Sequence, residues 1–438
     1  MNRDATADDD STVDANRTTD DDLTTDDDSH RIRRRGALAA LGTLALSGCL
    51  RLTATGEGTT APETEAGAAS TTGRAGDTET TGDAETGDET TDASTETTPE
   101  WDVEIAAQWN RYLSPGEHVL DGDALYVADR DQTTDLGLLA LNVADGSRRW
   151  TVSAPYRTRS LSLTDDGTLY AGVGQLTEGD GSLYAVDAES GSAEVVFDAD
   201  HSATTGPPLA TGDTVVFGTA PEEEGDYLYG LSRDDHEDSW SKRVEDGSYT
   251  GGVLADGTAY LGGFDYRFGA LDPATGEWSW RDDWQLAPDT DPVLKDGSLL
   301  FVDADRGLEL LDPATGEEVW RHAVERETNV ISHVSGPVFD GDVAYFTVGP
   351  TVHAAEIGGD GLWSVELPNP VRYSPAVVEG VVWVATQDSD VLHGLDAETG
   401  ETVFRTQLPA NTERTVAAGD RLLAFLDDRV LAFTVSRP

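Results

Sequence analysis

Residues Leu308–Trp320 read LELLDPATGEEVW, and near copies stand at Phe268–Trp280 (FGALDPATGEWSW) and Leu392–Phe404 (LHGLDAETGETVF). The phrase opens on Leu308–Leu311, an apolar run of strand length. Asp312-Pro313 then starts a turn, because the Asp side chain bonds local backbone and Pro presets φ for the next position. Gly316 closes the turn, where a positive φ is needed. Glu317–Trp320 leaves as a second strand, so the phrase is a β-hairpin with a large aromatic residue four positions after its glycine.

Outward from this hairpin, three marks recur from Trp101 onward. The first is a glycine beside Asp or Glu that joins two apolar runs, at Gly122, Gly167, Gly212, Gly257, Gly297, Gly341, Gly380 and Gly419. The second is the end of the next strand, at Asn142, Asp187, Ser232, Asp272, Asp312, Glu356, Asp396 and Thr434, spaced by 45, 45, 40, 40, 44, 40 and 38 residues. The third is an aromatic, at Trp109, Trp150, Phe197, Trp240, Trp280, Trp320, Trp363 and Phe404. A period near 40 with four short strands per unit predicts an all-β chain, an eight-bladed β-propeller of four-stranded antiparallel blades. Runs such as ALYVAD (Ala124–Asp129) and VVWVAT (Val381–Thr386) are apolar on both faces, as expected for strands sandwiched between neighbouring blades.

The phase of the third mark predicts how the ring closes. Trp109 has no hairpin before it, and Thr434 has no strand after it. The segment Val103–Trp109 is therefore expected to supply the outer strand of the last blade, which leaves no blade open. Each aromatic is expected to pack on the adjacent blade. A buried Trp removes 150–250 Å² from water, at most about 4–6 kcal/mol, so these eight positions read as structural docking residues.

The pattern Ala-x-Asp-x-x-Thr-Gly-x-x-x-Trp, matched by Ala270–Trp280 and, with Leu in the first place, by Leu310–Trp320, resembles the quinoprotein-type propeller repeat. The resemblance covers Trp101–Pro438. It implies the fold, and it leaves two kinds of function open. The family includes alcohol and sugar dehydrogenases that hold pyrroloquinoline quinone (PQQ) near a calcium ion. It also includes cofactor-free, lipid-anchored scaffolds such as the propeller lipoprotein of bacterial outer-membrane assembly.

The first hundred residues have a different character. Met1–His30 is polar and Asp-rich. Arg31, Arg33, Arg34 and Arg35 precede the short apolar stretch Ala37–Leu46, and Leu46-Ser47-Gly48-Cys49 ends it. A basic region, an apolar stretch too short to span a bilayer, and small residues make an export signal. Arg34-Arg35 resembles a twin-arginine signal, and Leu46–Cys49 resembles a lipobox in which Cys49 becomes the lipidated first residue. Cys49 is the single cysteine, so disulfides and Cys-based metal sites are excluded. Leu50–Glu100, built mostly of Thr, Glu, Gly, Asp and Ala, reads as a solvated tether. The domains are thus expected at residues 1–49 (leader and signal), 50–100 (tether) and 101–438 (propeller).

The chain carries 84 acidic and 29 basic residues, a formal charge of −55. Such a surface repels itself in dilute buffer, whereas in molar salt the screening length falls to about 3 Å, so the composition reads as adaptation to high salt. No basic stripe is present to meet phosphates, and a nucleic-acid partner is not expected.

No catalytic constellation emerges. The single cysteine rules out the adjacent-cysteine disulfide of many family dehydrogenases, and the family's catalytic Asp and calcium ligands have no matching context here. The histidines show no i, i+4 pair. Asp129-Arg130-Asp131 and Asp303-Ala304-Asp305 are paired acids that do not fit an EF-hand loop. The expectation is a monomeric, non-catalytic binding propeller on the outer face of the cytoplasmic membrane, held by lipid on Cys49, without cofactor or metal, and with a protein or glycan partner. The alternative is a PQQ-dependent dehydrogenase. The candidate binding face gathers Arg157, Arg159, Arg326, Arg372 and Arg414 with Tyr156, Tyr249, Trp284 and Tyr373, residues upstream of or at the start of successive inner strands. Arginine forks suit carboxylates, and Tyr and Trp offer flat faces to sugars or peptides.

Overall fold

A computed structural model describes residues 103–131, 137–153, 157–174, 180–200, 202–221, 226–244, 249–263, 267–283, 290, 292–324 and 333–437. The expected leader, twin-arginine pair Arg34 and Arg35, Cys49, the tether, and the mouth residues Tyr156, Trp284 and Arg326 lie outside the described residues. No helix among the described residues is long and apolar enough to cross a membrane.

The described strands form eight four-stranded antiparallel sheets. In chain order the blades span residues 115–152, 158–200, 202–244, 249–283, 293–322, 334–366, 376–407 and 412–436, the last completed by Glu104–Tyr112. Within blades 1 to 7 the four strands pair in sequence order, and the first strand lies innermost, touching the first strands of neighbouring blades. The middle strands are mostly buried, and wholly so in Ala124–Asp129, Gly307–Leu311 and Val381–Ala385, because each sheet is covered on both faces by its neighbours.

The closing strand lies where the phase of the aromatics places it. Glu104–Tyr112 pairs antiparallel with Arg429–Ser436, from Glu104↔Ser436 to Tyr112↔Arg429, with a register shift between Ala107 and Trp109. Blades 8 and 1 then share one apolar cluster, with Leu423, Phe425 and Val430 against Leu125, Val127 and Leu139.

The hairpin that decides the fold is built as its sequence demands. Asp312 Oδ1 accepts the Ala314 amide, Asp312 O accepts those of Thr315 and Gly316, and Gly316 sits at φ 73°. Its geometry also serves the neighbouring blade. The indole of Trp280 lies so close that a Cβ on Gly316 would stand 2.7 Å from Cε3, and Trp280 Nε1 donates to Pro313 O at 2.8 Å. The same lock recurs between Trp109 and Gly146, Trp150 and Gly191, Trp240 and Gly276, and Trp363 and Gly400. In each case the indole N–H donates to a carbonyl of that turn. Trp320 reaches Gly359 O at 3.2 Å. Phe197, which has no N–H, instead joins Phe217 and Tyr229 of blade 3.

Phe404 differs, packing edge-to-face on Trp383 of its own blade with centroids 5.5 Å apart. Blade 8 offers it no third-to-outer turn, since its outer strand arrives from the other end of the domain. A second departure concerns Glu309, inside the run read as apolar. It is fully buried on the face of blade 5 that meets blade 4, opposite Phe301. Burial pushes its carboxyl up to about 7, against the opposing pull of Arg306. Arg306 Nε lies 2.7 Å away, yet neither carboxylate oxygen has an aligned donor.

Candidate functional site

Antiparallel order sends each blade's second-to-third loop and its connection to the next blade to one end of the ring, which forms a mouth. The inner strands of blades 8, 1 and 2 and the approach to that of blade 7 meet there.

At the seam of blades 7, 8 and 1 the side chains converge. Arg414, the third residue of the inner strand Thr412–Ala418, is 9% exposed. Its guanidinium lies over Tyr373, with Cζ 4.4 Å from the ring centroid, and over Phe425 at 5.9 Å. Nη1 stands 3.3 Å from Nδ1 of His118 on the inner strand of blade 1, and that imidazole packs on Phe425. Burial first, and the Arg414 charge second, lower His118 to about 3, so it is neutral and can accept from the guanidinium. Arg372, exposed on the approach to blade 7, lies 5.7 Å from the Tyr373 centroid. Beside this group Arg130 pairs with Glu413 across blades 1 and 8.

The remaining mouth residues divide. Arg159 donates from Nε to Gly174 O at 3.0 Å, and the Gly174 amide bonds Arg157 O, so this pair ties the start of the inner strand of blade 2 to Gly174 after its second strand. Burial, then the neighbouring Arg157, lowers the pKa of Arg159. Neither contacts the Arg414 group in the described interactions. Tyr249 corrects the reading as a presented ring: it is 5% exposed, packs with Leu209 and Leu261 between blades 3 and 4, and donates to Pro207 O at 2.7 Å. Its hydroxyl and its ring are both committed to blade docking.

Residues 34–242, 226–357 and 304–436 match the family described as outer membrane protein assembly factor BamB. The chain belongs to this family. Among solved structures the propeller is similar to BamB from Moraxella catarrhalis, at 19% identity and TM-score 0.57, covering 76% of this chain and 98% of that one. It is also similar to the quinohemoprotein alcohol dehydrogenase from Comamonas testosteroni, at 15% identity and TM-score 0.56, covering 76% of each chain. The computationally designed protein Ika8 is comparable, at 13% identity and TM-score 0.58, covering 75% of this chain and 99% of that one. At these identities the likeness is one of fold. No curated protein matches.

Within this BamB-type propeller, His118, Arg130, Glu413 and Phe425 complete the mouth group, and the sequence alone does not single them out as site residues. In the sequence Arg130 stands between two acids, in Asp129-Arg130-Asp131. Asp129 Oδ1 accepts the amides of Ser114 and Asp131, and Asp303 Oδ1 accepts those of Asp305 and Arg306. Both acids shape equivalent loops at the ends of second strands. No group of three His, Cys, Asp or Glu suited to a metal ion occurs among the described residues.

Proposed function

We propose that this chain is a lipid-anchored, extracytoplasmic propeller that binds a protein partner at its mouth and performs no chemistry of its own. The observation that carries this reading is the character of the mouth at the seam of blades 7, 8 and 1. Arg372 and Arg414 cluster around Tyr373 there, so a pair of guanidinium groups and an aromatic ring stand together at this seam. Calcium wants six to eight oxygen donors, and guanidinium groups repel it. Two of the carboxylates beside this group are engaged, Glu413 by Arg130 and Asp129 by backbone amides. A guanidinium pair at this seam favours an anionic partner over a calcium-held quinone. Family membership supports the same reading, since the family's description is that of an outer membrane protein assembly factor. Lipidation of Cys49 would keep the propeller at the outer face of the cytoplasmic membrane.

The test is reconstitution. The purified protein, incubated in molar KCl with PQQ and calcium, is expected to retain no quinone absorbance and to reduce no dye with alcohols or sugars. Stoichiometric quinone uptake with turnover would establish the dehydrogenase instead. Separately, Cys49→Ser is expected to move the protein from the membrane to the soluble fraction, and a variant still sedimenting with membranes would place the anchor elsewhere.

A further inference from the structure

The mouth contains a cation without its counter-charge. Arg414 is only 9% exposed, and its Nε has no acceptor. Its one described hydrogen-bonding neighbour is the imidazole of His118, at 3.3 Å. With 84 acidic residues against 29 basic ones, carboxylates are the commonest partners available in this chain. Arg130, Arg149, Arg233, Arg306 and Arg429 each have one. Arg414 has none among the described residues. An arginine shielded from water and unpaired is costly unless something else meets it.

We propose that Arg414 is the floor of a carboxylate-binding subsite that receives an acidic side chain of a partner protein. Tyr373 backs the guanidinium at 4.4 Å and, because Nε is buried, a two-bond contact with a carboxylate is directed to the Nη1–Nη2 end. The neutral imidazole of His118 accepts from Nη1 and adds no competing positive charge. Arg372, on the exposed approach to the same tyrosine, supplies a second cation for a second acid on the same segment.

The depth of the guanidinium selects the carrier. A carboxylate on the flexible methylene stem of Glu or Asp reaches a recessed edge, whereas a carboxylate borne directly on a sugar ring brings the ring with it. An acidic peptide therefore fits better than an acidic glycan. Screening in molar salt removes the long-range repulsion between such a peptide and this acidic propeller, while a desolvated fork contact persists. This inference rests on the binding-propeller reading and names the chemistry of its partner.

A labelled tetraglutamate peptide, tested by fluorescence anisotropy in molar KCl, is expected to bind the wild-type protein, and tetraglutamine is not. One charge-assisted fork contact corresponds to about a tenfold to hundredfold change in affinity. Arg414→Gln and Tyr373→Leu should each lose that much, and Arg414→Lys, which keeps the charge without the fork, should lose most of it. Arg437→Gln makes the same charge change at the opposite end of blade 7, beside Gly380, and should bind as wild type. Thermal melts of each variant separate lost binding from lost folding, and the glutamate-versus-glutamine comparison needs no variant. Equal binding of the two peptides, undiminished binding by a folded Arg414→Gln, or binding of tetragalacturonate in place of tetraglutamate would each overturn the proposal. Peptide affinity and quinone turnover are separate readouts, so a quinone-active protein that still bound the peptide through Arg414 would remove the scaffold reading alone.

Discussion

The indole of Trp109 lies across Gly146, and its Nε1 donates to Val143 O at 2.7 Å. Trp109 belongs to the outer strand of blade 8, whereas Gly146 and Val143 belong to the third-to-outer turn of blade 1. The contact that locks blade to blade around the ring thus also fastens the last blade, through its closing strand, to the first. Ring closure rests on a strand pairing and on this indole together.

Deleting residues 101–109 removes most of that strand and its tryptophan, and should lower the melting temperature far more than deleting residues 1–100. Trp109→Ala alone should cost about 3 kcal/mol, the low end for a large aromatic, because the ring is only partly buried. Denaturation in molar KCl measures all three, and equal melting of the two truncations would contradict closure by this strand.

The glycine beneath each indole should be less replaceable than the glycine of the inner hairpin. Gly146 sits at φ 67°, and a Cβ there would stand 2.6 Å from Trp109 Cε3. Gly122 sits at φ 53° with no atom within 4 Å of such a Cβ. Gly122→Ala should therefore cost only the conformational term, about 1 kcal/mol. Gly146→Ala should add displacement of the indole and exceed it clearly. Equal costs in a urea titration would show that the ring yields freely.

Glu309 should make the propeller less stable as pH rises through the neutral range. In the unfolded chain it ionises near 4.5, but in the folded protein burial holds the proton to about 7. Between these values the unfolded state has released its proton while the native state retains it. Rising pH thus favours unfolding across this window, and the penalty is complete above 7. Glu309→Gln removes the group's titration, so its melting temperature relative to wild type should climb between pH 5 and pH 8. Parallel curves would show that Arg306 already neutralises the carboxylate.

Salt should stabilise the folded domain. Carboxylates outnumber cations across the whole chain, and their mutual repulsion is unscreened in dilute buffer. Circular dichroism across a KCl series should report loss of sheet signal at millimolar salt and recovery toward molar salt. Full folding in dilute buffer would argue that the acidic surface carries no such strain.

The fold was legible because its information is local and repeated. The Asp-Pro-Ala-Thr-Gly turn, the Asp-Gly hairpins and the phase of the aromatics each recur within a few residues of a strand, and eight copies reinforce one another. Even the closing strand could be read, since a missing hairpin before Trp109 and a missing strand after Thr434 are properties of order along the chain. Phe404 was the exception, because its partner depends on what blade 8 lacks.

The mouth was legible only in outline. Sequence position brings Arg372, Tyr373 and Arg414 to the same end of the ring, since each lies at or just before an inner strand. It does not say that Tyr373 lies under Arg414, that His118 and Phe425 close the group from blades 1 and 8, or that Tyr249 is turned into the core instead. Likewise, Glu309 occupies an ordinary alternating position, and only the arrival of blade 4 over that face buries its charge. Backbone periodicity is set by neighbours in the chain, and so the sequence alone determined the number of blades, their strand order and the closure. Burial and pairing of individual charges are set by side chains brought together from neighbouring blades, in the case of Arg130 and Glu413 from opposite ends of the propeller sequence. Those were decided by the tertiary structure, through the desolvation that only packed blades impose.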